Sequence, residues 1–166
     1  LSGVLAAIAG YESRNPVIEG CQYREALQVV KVEGGIAGNV VPDSTTLTIN
    51  HRVAPDRSLD IAEREIRDLL EPFMEPADEL KVVDAAPPAK PGLSNPILAS
   101  MIESHQLNVQ AKLGWTDVAF FDQKGIPAAN FGPGDATLAH TSNEQVERSS
   151  IDQCYLALKQ IITEGV

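Results

Sequence analysis

Apolar and polar positions follow two different rhythms along the first half of the chain. Over residues 1–13, Val4, Leu5, Ile8 and Tyr11 recur at helical spacing, which predicts a helix with one buried stripe. The Asn15-Pro16 pair ends it, because a residue before proline is driven out of the helical region. Residues 26–34, rich in valine around Val29, Val30 and Val32, read as a strand that Gly34, Gly35 and Gly38 break. From Thr45 to Val53 the alternation is strict. Leu47, Ile49, His51 and Val53 fall on one side, and Thr46, Thr48, Asn50 and Arg52 on the other. That period of two predicts a half-buried antiparallel strand. Ser58 is a suitable N-cap and Asp60 suits a first helical turn. Ala62, Ile66, Leu69, Leu70 and Phe73 then predict an amphipathic helix to about residue 71, closed by Pro72 and Pro76. A short strand is expected over residues 80–84. The order helix, strand, strand, helix, strand becomes a ferredoxin-like split βαβ unit once a first strand is added before Leu1.

Pro87, Pro88, Pro91 and Pro96 crowd residues 85–96, which places a domain boundary there and divides the chain into residues 1–87 and 88–166. The second part alternates as an α/β segment. Pro96 occupies the first position of a helix running to about His105. A strand is expected over residues 109–113, a short helix after Thr116, and an apolar strand over residues 126–131, as in a buried parallel sheet. Asn143 and Glu144 open a last helix with an apolar stripe of Ile151, Cys154, Tyr155, Leu158, Ile161 and Ile162.

Composition narrows the class. Of the 166 residues, 43% are hydrophobic and 22% charged, as in a soluble globular protein. Thirteen basic against 23 acidic residues give a net charge of −10, which argues against a nucleic-acid partner. No apolar run is long enough to span a membrane. Cys21 and Cys154 form no CxxC pair and read as two buried thiols of a cytosolic protein. The chain lacks an initiator Met, and Leu1 falls directly into a helical pattern, so it is expected to begin inside a domain.

Three polar clusters follow the apolar segments of the second part, where ligands of α/β sheets collect. In Gly114-Trp115-Thr116-Asp117, Gly114 permits a tight turn. Thr116 or Asp117 can cap the next helix, and the cluster reads either as a simple cap or as an anion site. Asn130-Phe131-Gly132-Pro133-Gly134-Asp135 is no phosphate loop, since no Lys-Ser/Thr follows; taken alone it is a rigid turn. His140 is a loop histidine, and imidazole is a common metal ligand, yet no HExxH or CxxC accompanies it. In the first part Arg52 can grip a carboxylate with a planar fork or join a cross-strand pair. Asn39-Val40-Val41-Pro42 reads as a loop that sets strand register. His51 shares the apolar side of its strand, and His105 suits the end of a helix.

Three segments taken together resemble the aminoacylase, acetylornithine deacetylase and succinyl-diaminopimelate desuccinylase family of zinc hydrolases. They are residues 35–43, Gly-Ile-Ala-Gly-Asn-Val-Val-Pro-Asp; residues 114–121, Gly-Trp-Thr-Asp-Val-Ala-Phe-Phe; and the run Gly125-Ile126-Pro127, Asn130 to Gly134, Ala139-His140 and Asn143-Glu144. Glu33-Gly34-Gly35 and Ala54-Pro55-Asp56-Arg57-Ser58 are similar to its actinobacterial succinyl-diaminopimelate desuccinylase branch. The resemblance implies a lid and dimerisation domain lacking its first strand, followed by the C-terminal segment of a zinc-peptidase catalytic domain. It implies a cytoplasmic homodimer, joined through the lid, that hydrolyses a small dicarboxylate amide, N-succinyl-diaminopimelate, with two zinc ions. Position by position, it makes His140 a metal ligand, Asn39 and Arg52 ligands of the substrate carboxylate, and Gly114 and Thr116 part of the loop facing substrate. Trp115 stands where some relatives have a small or hydroxyl residue.

The family's His-x-Asp metal motif and its Glu-Glu pair, which carries the general base, are absent from the sequence. One histidine does not make a catalytic zinc site, which needs at least three protein ligands. The chain is therefore expected to be inactive alone. Other readings are an acetylornithine deacetylase or carboxypeptidase-type member, or a non-catalytic dimerisation module.

Overall fold

The amphipathic opening segment folds as α1, Ser2–Ala9. A computed structural model describes residues 1–112 and 114–165. Helix α1 stops short of the predicted residue 13, at Gly10, whose N–H closes the last turn onto the Ala6 carbonyl at 2.9 Å. A small hairpin follows that the apolar pattern does not announce, β1 (Val17–Ile18) with β2 (Cys21–Gln22). Its two loop residues, Glu19 and Gly20, both have positive φ (48° and 79°), the backbone of a tight hairpin turn that matches strand twist.

Strands β3 (Ala26–Gly34) and β4 (Thr45–Arg52) pair antiparallel, close to the predicted bounds. Ala26 faces Arg52, Leu27 faces His51, and Gly34 faces Thr45. Val29 faces Ile49 whereas Lys31 faces Thr48, so Val30 is an extra residue, a bulge that twists the pair. Leu27 is buried and Val29 half-buried, but Val30 at the bulge and Val32 beyond it are 59% and 55% exposed.

Helix α2 (Leu59–Leu70) starts where predicted, with the Ser58 hydroxyl accepting the Ile61 N–H. It buries Ala62, Ile66 and Leu70. Ile66 and Leu70 join Ile8 of α1 and Leu27 of β3 in a core, with Val4, Tyr11, Val29 and Ile49 packed against it. Two helices on one side of a β hairpin are thus the organised centre of the first half.

The remaining helices are α3 (Pro96–His105), α4 (Val118–Gln123) and α5 (Arg148–Glu164). Asn95 caps α3, its side-chain oxygen accepting the N–H groups of Ile97 and Leu98, and Pro96 opens it as expected. Helices α3 and α5 pack together. The described chain forms two compact units, Leu1–Lys90 with Ala111–Trp115, and Pro91–Gln110 with Thr116–Val166. The class is mixed α/β with two small sheets.

Several predicted elements are not there. Residues 80–84, 109–112 and 126–131 form no strand; Leu113, the end of the second predicted strand, lies outside the described residues. A strand needs a neighbour for its N–H and C=O groups, and both described sheets are two-stranded. Other groups take some of these partners: the Leu80 carbonyl accepts from Arg67 Nη1 (3.2 Å), and the Ile126 N–H bonds the Phe121 carbonyl (2.9 Å) as α4 ends. Helix α5 begins at Arg148, not at Asn143: the Glu144 N–H closes a turn onto the Thr141 carbonyl (3.2 Å), and residues 144–147 have no regular structure. Its expected stripe is largely outside: Ile151, Tyr155, Leu158 and Ile162 are exposed, Cys154 and Ile161 half-buried, and Ala157 alone is fully covered. No helix among the described residues is long and apolar enough to cross a membrane.

Candidate functional site

Strand alternation sends His51 inward and Arg52 outward at the end of β4. Arg52 is exposed, and its guanidinium has no hydrogen-bond or ion-pair partner among the described residues. Its backbone position is fixed by the pairing with Ala26. Just past it, the Ala54 N–H donates to Glu25 Oε1 at 2.8 Å. Glu25 sits immediately before Ala26 and is 5% exposed. Its other oxygen accepts from Arg57 Nη2 at 2.6 Å, and Arg14 Nη1 reaches Oε1 at 3.4 Å. Arg57 also pairs with Glu65, and Arg14 with Asp56. Five charged groups therefore surround the clasped end of the β3–β4 hairpin. The hydrogen bond from Arg14, aided by its charge, holds the Asp56 carboxyl below the usual carboxylate range.

His51 lies beside this cluster, edge-on to Tyr11 with ring centroids 6.0 Å apart. Burial, reinforced by the Arg57 charge, lowers its pKa and favours the neutral imidazole; Glu25 and Glu65 oppose the shift. Burial raises the Tyr11 phenol. His51 is thus a packed sheet residue, as its place on the apolar side predicts. Asn39 lies in the exposed 35–44 connection between β3 and β4, where the Val40 N–H turns back onto the Ala37 carbonyl. It stands at the other end of the hairpin from Arg52.

In the second half, Thr116 and Asn130 meet: Asn130 Nδ2 donates to Thr116 Oγ1 at 3.0 Å. This links two of the three polar clusters. Asp117 stands at the N-cap of α4 but makes no side-chain cap bond, and α4 has only six residues. The capping expectation is not met by its side chain. The Gly132-Pro133-Gly134 turn is tied to α5 by Gly134 N–H donating to Ser150 Oγ at 2.9 Å. Gly134 has φ +84°, and a Cβ there would stand 3.2 Å from Val146 Cγ2, so a side chain is disfavoured by backbone and by space. Asp135 accepts from the Thr137 hydroxyl (2.7 Å) and N–H (2.8 Å), which hold its carboxyl below the usual range.

His140 ends this knitted segment. Its φ of +64° is left-handed, uncommon for a side chain other than glycine, and its N–H donates to Glu144 Oε2 at 3.0 Å. The Glu144 carboxylate thereby braces the backbone that carries the exposed imidazole. Backbone strain of this kind collects at functional positions. Among the described residues, however, no three His, Cys, Asp or Glu side chains converge as a metal site. These residues alone do not fit a zinc ion, which needs at least three protein ligands.

Of the residues singled out from sequence, the structure joins Thr116 to the Asn130 segment. Asn39 and Arg52 share one hairpin without meeting. The Glu25 cluster went unanticipated, since one acidic residue among 23 before a strand carries no signal of burial.

A model of peptidase family M20/M25/M40 matches residues 17–164. A Mycobacterium tuberculosis (strain H37Rv) protein that carries the name DapE is 45% identical over 151 residues, covering 91% of this chain and 42% of that protein. A Corynebacterium glutamicum protein named succinyl-diaminopimelate desuccinylase is 38% identical over 165 residues, covering 99% of this chain and 45% of that protein. A Saccharolobus solfataricus protein named [LysW]-lysine/[LysW]-ornithine hydrolase is 28% identical over 133 residues, covering 77% of this chain and 36% of that protein. The chain spans less than half the length of these relatives.

Proposed function

The chain belongs to peptidase family M20/M25/M40, and from that premise we propose that it is a portion of an amidohydrolase acting on N-succinyl-diaminopimelate. The products would be succinate and diaminopimelate. The observation that carries the reading is the 38% identity to the Corynebacterium glutamicum desuccinylase over nearly the whole chain, with the three motif segments in order. Residues 1–87 are assigned to a lid and dimerisation domain of ferredoxin-like type lacking its first strand, with residues 80–84, its expected last strand, unpaired here, and residues 88–166 to the C-terminal part of the catalytic domain. The protein is assigned to the cytoplasm as a homodimer.

Within that reading Arg52 and Asn39 engage polar groups of the substrate. The unpartnered, outward guanidinium of Arg52 supports this for a carboxylate. Separated along the hairpin, the two residues serve different groups. Gly114 and Thr116 belong to the loop facing substrate, with Thr116 held by Asn130. His140 contributes one ligand to a zinc pair. The braced left-handed backbone supports that role, while the other ligands and the general base correspond to nothing among the described residues. Amide hydrolysis needs an activated water, so this chain alone binds and orients but does not complete the reaction.

The test is a chimera that places this chain behind the N-terminal part of a full-length relative. The 166-residue chain should show no turnover of N-succinyl-diaminopimelate with zinc, and the chimera should show it. In the chimera, His140→Ala should lower zinc content and abolish activity. Turnover near about 10 per second by the chain alone, or a His140→Ala chimera with full zinc and normal rate, would refute the assignment.

A further inference from the structure

We propose that Glu25 is a positioning residue for Arg52, a clamp that fixes where the Arg52 guanidinium meets a substrate carboxylate. The inference rests on the carboxylate-binding reading of Arg52. Glu25 stands at the entry to β3. The residue precedes Ala26, the cross-strand partner of Arg52. Its Oε1 takes the N–H of Ala54, two residues beyond Arg52 (2.8 Å). One side chain therefore ties the start of β3 to the chain leaving β4. Arg52 is held by the ladder on one side and by this bond on the other.

The clamp itself cannot easily turn. Arg57 Nη2 holds the second oxygen at 2.6 Å, and the Arg57 side chain is only 9% exposed. Arg57 is held in turn by Glu65, and Arg14 approaches Glu25 while paired with Asp56. A guanidinium between two carboxylates is fixed in plane as well as in position. Ala54 is fully buried, so water does not readily replace Glu25 as acceptor for its N–H.

The chemistry of the cluster favours geometry over stability as its reason. A buried ionic group is costly to desolvate, and well-packed apolar side chains of similar volume often serve stability as well or better. What apolar replacements do not supply is a directional tie to one backbone N–H. His51 and Arg52 alternate across the strand, so the inward packing of His51 against Tyr11 and the Ala54 tie together set the outward angle of Arg52. Recognition of a carboxylate by a planar fork depends on that angle.

The experiment uses the chimera, N-succinyl-diaminopimelate, and analogues in which each carboxylate is replaced in turn by a carboxamide. Arg52→Ala identifies the carboxylate Arg52 reads, as the one whose replacement makes wild type and variant alike. Glu25→Met, close in shape but with no strong acceptor for the Ala54 N–H, should then raise KM for the full substrate roughly tenfold. It should leave kcat within about twofold and have little effect on the analogue lacking that carboxylate. In the Arg52→Ala background it should add nothing, because the two changes act through one contact. Arg57→Lys, which keeps the charge but not the fork, should give the same selective rise and serves if Glu25→Met does not fold. If Arg52→Ala costs activity but Glu25→Met and Arg57→Lys do not, or if they lower both substrates equally, Glu25 is merely structural and the proposal is overturned while the Arg52 reading stands. If the chimera is inactive or Arg52→Ala is neutral on every substrate, the Arg52 reading fails and the proposal falls with it.

Discussion

Leu70→Ala should cost the first half of the molecule about 2–3 kcal/mol. Leu70 is 2% exposed and closes α2 against Ile8, Leu27 and Ile66. The substitution removes three carbon groups, each worth about 0.8 kcal/mol when buried, so the transfer contribution alone is about 2.4 kcal/mol. A residual cavity adds to this. Among the described residues this core has four buried members, with half-exposed neighbours such as Val4 and Ile49 free to relax inward. The total therefore belongs in the lower part of the roughly 2–5 kcal/mol range of such changes. For a unit of this size each kcal/mol moves the midpoint by about 4–8 °C. Ile162→Ala on α5 is the control. Ile162 is 81% exposed, so its truncation should change stability by less than about 0.5 kcal/mol. Urea unfolding of the 166-residue chain, followed by far-ultraviolet circular dichroism, measures both. A Leu70→Ala cost below about 1 kcal/mol, or an Ile162→Ala cost equal to it, would refute the placement of the core on α1, α2 and β3.

The pH dependence of the first half should carry a His51 component. Its folded pKa is depressed by burial and then by Arg57, so the folded state binds fewer protons, and stability present above about pH 6.5 is lost as pH falls below it. His51→Phe should flatten the slope there, and a variant with the wild-type slope would contradict the burial argument. Gly134→Ala should destabilise the second half by roughly 1–2 kcal/mol, because it combines a left-handed backbone with a Cβ pressed on Val146; hydrogen exchange around Ser150 reports it, and unchanged protection would refute it.

The elements that could be read from sequence are those whose signals are local. Ser58 before an apolar stripe gave α2, Pro96 at a first helical position gave α3, and strict alternation from Thr45 gave β4. Each depends on periodicity or capping within a few residues. The misread segments are those whose state depends on distant chain. An apolar run such as residues 126–131 becomes a strand only beside another strand, and its composition is silent about whether one is present. The β1–β2 hairpin escaped notice because Glu19 at positive φ is an unfavourable choice for such a turn. For the candidate site, residue types in motif order pointed to Arg52, Thr116 and His140. The clamp around Glu25 arises from pairings across 29 and 32 positions, which no short pattern encodes.

The β3–β4 hairpin is gripped at one end only. At the gripped end are Leu27, His51, Glu25 and Arg57. At the other, Gly34, Thr45 and the whole 35–44 connection are exposed. Eight residues of β4 at about 3.3 Å each make an arm of roughly 25 Å. A pivot of about 10° at the gripped end sweeps the far end through about 4 Å, more than a hydrogen-bond length. Mechanically the hairpin is a cantilever. Arg52, beside the pivot, scarcely travels, whereas Asn39, at the free end, converts small rotations into reach.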